Sequence, residues 1–394
     1  MSALASSAMD LRGAVPLELA SSVPAGAPAL AVRRVPAEAY AGWTAEFAEL
    51  AGRCAHPNPF MAPAFVEAAL ARHPAARLVV LAVHRGARLQ GVWCLIETRD
   101  LWSGGAAVLQ APITPRYDAL AHPVLDAADE AAALALLLRH AAEDRGLPGV
   151  VRALSWPTRL DRLLPADMHA RHAETWERAT LDASPGQGAE DYLRAAMGSA
   201  YKKRLAQERA LSRQGRLAHV HLRRGEAAEG YETFLALEAS GWKGRAGTAL
   251  ARLPADAAHL RAAVAALAHA DGIGVDLLTL DGRPIAAGLL PEAGKTTLFW
   301  KTAYDETLAR HSPGALLDLA VTRRLFAEGR PLLDSGMMEG TDPATQPWSE
   351  RLALARATID LRGGLAGRLA RAGATARMTL RGLKRRAEAA RGAS

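Results

Sequence analysis

Apolar residues along the chain follow two rhythms, one of three to four residues and one of two. The first predicts helices over 37–53 and 61–73, with Pro57, Pro59 and Pro63 breaking the chain between them. The second predicts a hairpin over 77–100, turned at Arg85-Gly86, and a short strand over 106–112. A helix over 126–146 follows, with Asp126 as its N-cap and Gly146 as its stop. The strand 149–156 closes this set. The order then repeats. Helices are predicted over 231–244 and 254–272. Next come a hairpin over 273–292 turned at Asp281-Gly282, a strand over 295–304, a helix over 314–329 and a strand over 331–336. Between the two sets lie a linker at 182–187, "DASPGQ", and a long basic helix over 189–215.

The repeat predicts two units. A chain of 394 residues exceeds one ordinary core, and its 50% hydrophobic content fills two. The expected boundaries are an Ala/Ser/Pro-biased disordered leader over 1–30, a first domain over 31–182, a second over 183–361 and a basic tail over 362–394. The formal charge of +7 belongs to that tail. Its nine Arg/Lys against Glu388 give +8, so residues 1–361 carry −1. A body near neutrality argues against a large nucleic-acid groove. Two cysteines, Cys54 and Cys94, are too few for a disulfide framework or a zinc site. No apolar run approaches the ~18 residues of a membrane span, and the N-terminus has no signal-peptide pattern, so the expected location is the cytoplasm.

The strand over 295–304 leads through Ser312, Pro313 and Gly314 into an apolar helix. A helix start leaves backbone N–H groups without partners and carries a partial positive charge. Pro313 suits the first turn, and Gly314 removes the side chain that would hold a ligand off the backbone. The arrangement predicts a cradle for phosphate. Ordinary capping by Ser312 is the alternative. No Walker lysine and no G-x-G-x-x-G is present, which speaks against nucleotide hydrolysis and a dinucleotide site.

"LEASGWKGRAGTAL" (Leu237–Leu250), "WKTAYDETLARHSPGALL" (Trp300–Leu317) and "DSG" (Asp334–Gly336) together resemble the CelD-type branch of the GNAT acyltransferases. That branch is related to FemAB-like tandem-GNAT enzymes and associated with cellulose or polysaccharide biosynthesis. The resemblance covers roughly Val32 to Leu361. It implies an α+β fold of two tandem GNAT-like domains, each a mixed, mostly antiparallel sheet flanked by helices. It also implies acyl-CoA, acetyl-CoA foremost, as co-substrate with no metal. Arg310, His311, Ser312, Pro313, Gly314 and Ala315 would cradle its pyrophosphate. The usual Gln/Arg-x-x-Gly-x-Gly/Ala loop is matched only loosely, and Pro313 removes one donor. The first half enters its helix through Asp126, Asp129 and Glu130, which repel phosphate, so one cofactor site is expected, in the second half.

The expected reaction is N-acyl transfer to an amine of a sugar, polysaccharide or cell-envelope precursor, by direct attack. Two alternatives stand beside it: a FemAB-like aminoacyl-tRNA-dependent transferase, and a non-catalytic partner-binding protein of polysaccharide assembly. Tyr304 is a candidate acid for the departing thiolate, and Asp305 and Glu238 are candidate bases. A packed tyrosine, a turn cap and a surface acid are their plain alternatives. Trp242, Lys243, Lys301 and Asp334 are candidate acceptor contacts, with Lys243 and Lys301 also able to meet the CoA 3′-phosphate. The basic helix would suit a phosphorylated acceptor or a solvated face. Residues 362–394 carry a weak apolar stripe among arginines, suited to an anionic membrane surface, with nucleic acid or a solvated tail as rivals. Nucleic acid is otherwise expected only as tRNA, in the FemAB-like alternative.

Overall fold

The computed structural model describes residues 28–392 except Pro185 and Pro331, so the expected leader lies mostly outside the described residues. The first set of elements is β1 (Leu30–Val35), α1 (Ala37–Tyr40), α2 (Thr44–Arg53), α3 (Pro63–Leu70), β2 (Leu78–Arg85), β3 (Arg88–Arg99), β4 (Ala107–Ala111), β5 (Val124–Leu125), α4 (Glu130–Glu143) and β6 (Val150–Pro157). β7 (Ala170–Asp182), α5 (Ala189–Met197), α6 (Ser199–Ser212) and β8 (Leu217–Arg223) lead into the second set. That set runs α7 (Gly225–Ser240), α8 (Trp242–Arg245), α9 (Pro254–His269), β9 (Ile273–Leu280), β10 (Arg283–Ala293), β11 (Thr296–Leu298), β12 (Lys301–Tyr304), α10 (Pro313–Ala327) and β13 (Leu332–Asp334). β14 (Glu350–Asp360) and α11 (Leu365–Gly392) end the chain.

All strands join one mixed sheet, ordered β1-β2-β3-β4-β6-β14-β7-β13-β11-β10-β9-β8, with β12 beside β10 and β5 beside β3. The two sets match in topology. β4 runs parallel to β6 and β11 parallel to β13, each after an antiparallel hairpin. The fold is the expected α+β arrangement, with the two sheets fused at their edges. β7 and β14 make the seam, antiparallel over their whole length (Glu350↔Thr180 to Ile359↔Ala170). One apolar core lies under α1–α4, α7 and α9, and a second under α5, α6 and α10.

Several local expectations are corrected. The helix-cap position falls on Asp129, because Asp126 is drawn to Arg53 Nε at 2.6 Å. The long basic helix breaks at Gly198, whose φ of 54° no regular helix accepts. The hairpin turn shifts to Gly86-Ala87, since Arg85 pairs with Arg88. From Leu365 to Gly392 the expected tail is helical: α11 buries Ala370 against Val108 and Val150 and pairs Arg371 with Asp360 at 2.8 Å, while Leu365, Leu369 and Leu380 stay exposed. Among the described residues no helix is long and apolar enough to cross a membrane.

Arg178 on β7 is fully buried. It donates to Asp334 at 3.1 Å, to the Met337 carbonyl at 2.8 Å and to the Ala119 carbonyl at 3.0 Å. One guanidinium thus ties the seam to the end of β13 and to a loop of the first half. Replacing it strands a buried carboxylate. Arg178→Leu is expected to lower the unfolding free energy by about 3–5 kcal/mol in urea titration, with Asp334→Asn recovering part of the loss when combined with it.

Candidate functional site

The parallel pair β11–β13 holds for two residues, Thr297↔Leu333 and Leu298↔Asp334. The next amide, Phe299 N–H, still reaches the Asp334 carbonyl at 2.7 Å. From there the strands part. Trp300 N–H turns to Leu289 on β10 at 3.0 Å, while Ser335 N–H turns to Ala179 on β7 at 3.1 Å. β12 continues along β10 alone (Leu289↔Lys301 to Ala286↔Tyr304), so its other edge is unpaired among the described residues. Packing explains the split. Phe299 enters the second core against Trp348 at 5.8 Å. Trp300 enters the first against Phe60 and Phe65, and its indole N–H donates to the Tyr117 carbonyl at 2.6 Å. At the apex Gly336 (φ 65°) passes so close that a Cβ there would lie 2.6 Å from the Phe299 carbonyl oxygen.

Tyr304, at the far end of the open strand, is 37% exposed. It faces the start of α10: a Cβ on Gly314 would meet its ring at 3.3 Å. Ser312 enters the helix with φ 52° and ψ 56°, and no side chain caps it. Its hydroxyl is occupied by Gln207 Nε2 of α6 at 3.1 Å, so the ordinary cap does not form. The first intrahelical donor is Leu316 N–H, to the Ser312 carbonyl. By helix geometry the Gly314 and Ala315 amides therefore lack intrahelical partners, and both residues are partly exposed. His311 and Pro313 are buried, and His311 sits against Arg310 at 2.9 Å and Gln214 at 3.0 Å. Of the six expected cradle residues, then, Gly314 and Ala315 offer backbone donors and the others shape the turn.

The remaining candidates divide. Asp305 Oδ1 accepts from Thr307 N–H and Oγ1, and Oδ2 from Arg283 at 2.7 Å, so its carboxylate is engaged as a turn cap. Asp334 is committed to Arg178 and to the Gly336 N–H at 2.8 Å. Glu238 is buried. It accepts from Lys243 Nζ and from Leu250 N–H, both at 2.7 Å, and so pins the loop that carries α8. Glu238, Lys243 and the exposed Trp242 line a groove of about 50 Å³ with Thr302 and Tyr304. A larger cavity of about 820 Å³ lies between α2, α3 and α9, where its one buried acid, Glu292, is paired with Arg223 and Arg330.

Lys301 and Asp118 form a feature that sequence reading missed as a unit. Lys301 Nζ sits 5.1 Å above the Tyr117 ring and 5.6 Å from that of Trp300, and burial lowers its pKa to about 8. Asp118, across the junction, is 3% exposed. Its Oδ2 accepts from Thr114 N–H at 2.9 Å, and its buried Oδ1 has no partner. Burial raises its pKa to about 8, against the opposing pull of the Thr114 amide and Lys301. Nearby, Asp256 takes Arg72 at 2.6 Å and Arg116 at 3.3 Å. The only sequence signal was a carboxylate amid apolar neighbours in "YDALA".

Residues 199–344 match the family model described as acetyltransferase (GNAT) domain, a span holding the split strands and the uncapped helix. This segment is a GNAT acyltransferase domain. The GNAT fold normally uses acyl-CoA. The wider chain shares its fold with FemX (TM-score 0.55, 12% identity, 84% of this chain and 97% of that one). It also shares it with a C-terminal domain from Agrobacterium fabrum assigned to a lysylphosphatidylglycerol synthetase (0.50, 14%, 84% and 95%). A Bacteroides thetaiotaomicron protein of unknown function is similar as well (0.50, 11%, 84% and 99%). No curated protein matches the sequence. The GNAT domain and the half before it meet at Trp300, which joins Phe60, Phe65 and Tyr117 to the open strand.

Asp118 gives a pH test. A carboxyl whose pKa rises from 3.8 to about 8 on folding binds more protons folded than unfolded between those values. Its contribution to stability is therefore full below about pH 4 and declines up to about pH 8. Asp118→Asn is expected to flatten the fall in urea-unfolding free energy across that window. An unchanged slope would show that Asp118 does not titrate there.

Proposed function

We propose that the GNAT domain takes acyl-CoA with its pyrophosphate on the Gly314 and Ala315 amides, its pantetheine arm along the unpaired edge of β12, and its thioester near the parting of Phe299 and Ser335. The observation that carries this reading is the coincidence of an opened strand edge with an uncapped helix start, joined by Tyr304. Each alone is ordinary. Together they offer backbone donors in line with one elongated anionic thioester.

The acyl group passes to an amine by direct attack. The new C–N bond forms as the C–S bond breaks, the amine gives up a proton, and the thiolate gains one. Tyr304 stands at the helix-start end of the open strand, beside the pyrophosphate, so it acts as a donor contact, and the thiolate takes up the proton that the amine gives up. Asp305 and Asp334 are spoken for by Arg283 and Arg178, so neither supplies the base. Lys301 and Asp118, one from each half and unjoined by any ion pair among the described residues, border the acceptor side. Acetyl-CoA is the first donor to test, and an amine on a sugar or envelope precursor the first acceptor class.

A second reading has its own support. Gln207 reaches from α6 over the helix start, binding both Ser312 Oγ and the Arg310 carbonyl at 3.1 Å, and Pro313 offers no amide. Lys202, Lys203 and Arg209 stand exposed on the same α6. A narrowed cradle beside a basic helix suits a donor carried by tRNA, as in the FemAB-like alternative.

Calorimetry separates the two. Acetyl-CoA is expected to bind the native protein, and Gly314→Trp to abolish that binding with little change in melting temperature. Charged tRNA as the sole active donor would favour the second reading. Once a donor is turned over, Tyr304→Ala is expected to weaken acetyl-CoA binding several-fold while leaving kcat at saturating donor within about twofold. A loss confined to kcat would make Tyr304 an acid instead of a contact.

A further inference from the structure

The acyl-transfer reading leaves the last helix unused. α11 runs for 28 residues, Leu365–Gly392, and its early turns are docked on the body. Asp360, at the end of β14, receives the chain: its Oδ1 accepts from Gly363 N–H at 2.9 Å and its Oδ2 from Arg371 at 2.8 Å. Arg362 donates to the Ala142 carbonyl at 2.7 Å and to the Ala141 carbonyl at 3.2 Å. The docked face is made of small residues because the approach is close. A Cβ on Gly367 would collide with Asp360 Oδ2, and one on Gly104 (φ 60°) would lie 2.6 Å from the Leu369 carbonyl oxygen. Gly367, Ala370 and Gly373 are buried along this face.

A second face is left open. Leu365, Leu369, Ala372, Ala376 and Leu380 follow one another at steps of four, three, four and four, and all five are exposed, Leu365 by 66% and Leu380 by 55%. Those steps align them in one stripe, roughly 22 Å long at the rise of a helix. Leu101, 84% exposed, belongs to the turn Leu101–Ser103 that packs on the same helix. A surface helix ordinarily turns its apolar stripe to the body, but here the glycines and Ala370 take that contact.

Charge indicates what covers the stripe. Residues 362–394 hold nine Arg/Lys against Glu388, while residues 1–361 sum to −1. Arg362 and Arg371 hold the helix to the body. Arg368 is exposed, and Arg377, Arg381, Lys384, Arg385, Arg386 and Arg391 follow along the same helix. An exposed apolar stripe on a cationic helix complements the boundary of an anionic bilayer, which offers hydrocarbon to leucines and phosphate to cations. Nucleic acid would match the charge and give the leucines nothing. A second copy would match the leucines and bring two sets of like charges together.

We infer that α11 lies in the surface of an anionic lipid bilayer, with Leu365, Leu369 and Leu380 entered at the headgroup boundary and Arg368 and the cations after it on lipid phosphates. The helix thereby holds the body at a membrane face. This docking surface is independent of the donor reading, and acetyl-CoA plays no part in its test.

The test is co-sedimentation of the full chain with vesicles of mixed phosphatidylcholine and phosphatidylglycerol, against vesicles of phosphatidylcholine alone. Binding to the mixed vesicles is expected, with little to the neutral ones. The double variant Leu365→Ser with Leu380→Ser keeps every charge and alters exposed positions, so its melting temperature should match the native one. Its partition onto the mixed vesicles is expected to fall by about tenfold. Leu380→Trp gives a second readout: its emission, taken as the difference from the native protein, should shift to the blue with mixed vesicles and stay unchanged with neutral ones. Absence of binding to the mixed vesicles, equal binding to both kinds, or equal partition of the native chain and the double variant would overturn the proposal. So would tighter binding to uncharged tRNA that the double variant keeps, or a dimer in sedimentation velocity that the double variant dissolves.

Discussion

The structure depends on one buried guanidinium. Arg178 stands where the fused sheet changes from a closed layer to a split one, and its contacts fix three things at once: the end of β13 through Asp334, the departing chain through the Met337 carbonyl, and the first half through the Ala119 carbonyl. A charge with no exposed surface is tolerable only when its partners are held rigidly. Those partners are the chain segments whose positions define the split. They reinforce the pairing of β13 with β7, while Trp300 in the first core helps hold β12 on β10.

The division of labour between halves follows from this. The second half carries the opened strand edge and the uncapped helix start. The first half contributes side chains that close the far side: Tyr117 and Asp118 toward Lys301, and Phe60 and Phe65 against Trp300. The first half's own helix α4 opens on Asp129 and Glu130, with Asp129 tied to Arg85 at 2.7 Å, so that helix start offers nothing to a phosphate. The two halves share one topology, and the second joins an opened strand edge to an uncapped helix start.

Much of this was legible in the sequence, because alternation and turn chemistry dominate where one face of an element is buried. The Asp281-Gly282 hairpin, the helix after Ser312 and the matching order of the two halves were readable from pattern alone. The seam was not. β7 (ARHAETWERATLD) and β14 (ERLALARATID) are dense in Arg, Glu and His, and they are strands because they pair with each other over their full length. The break at Gly198 was hidden inside a good helical pattern. Asp305 and Asp334 looked like free acids because their cationic partners, Arg283 and Arg178, lie 22 and 156 residues away in sequence. Asp118 and His122 were silent for the same reason: what singles them out is a buried side-chain atom left without a hydrogen-bond partner, which one-dimensional pattern does not record.

The most direct test of the account is amide hydrogen exchange across the split, with and without acetyl-CoA. The central claim is that the unpaired edge of β12 and the first turn of α10 are two ends of one donor site. Acetyl-CoA should therefore slow exchange in segments 299–304 and 313–316 together. Protection confined to the cavity beneath α2, α3 and α9, or no protection in either segment at saturating donor, would contradict it.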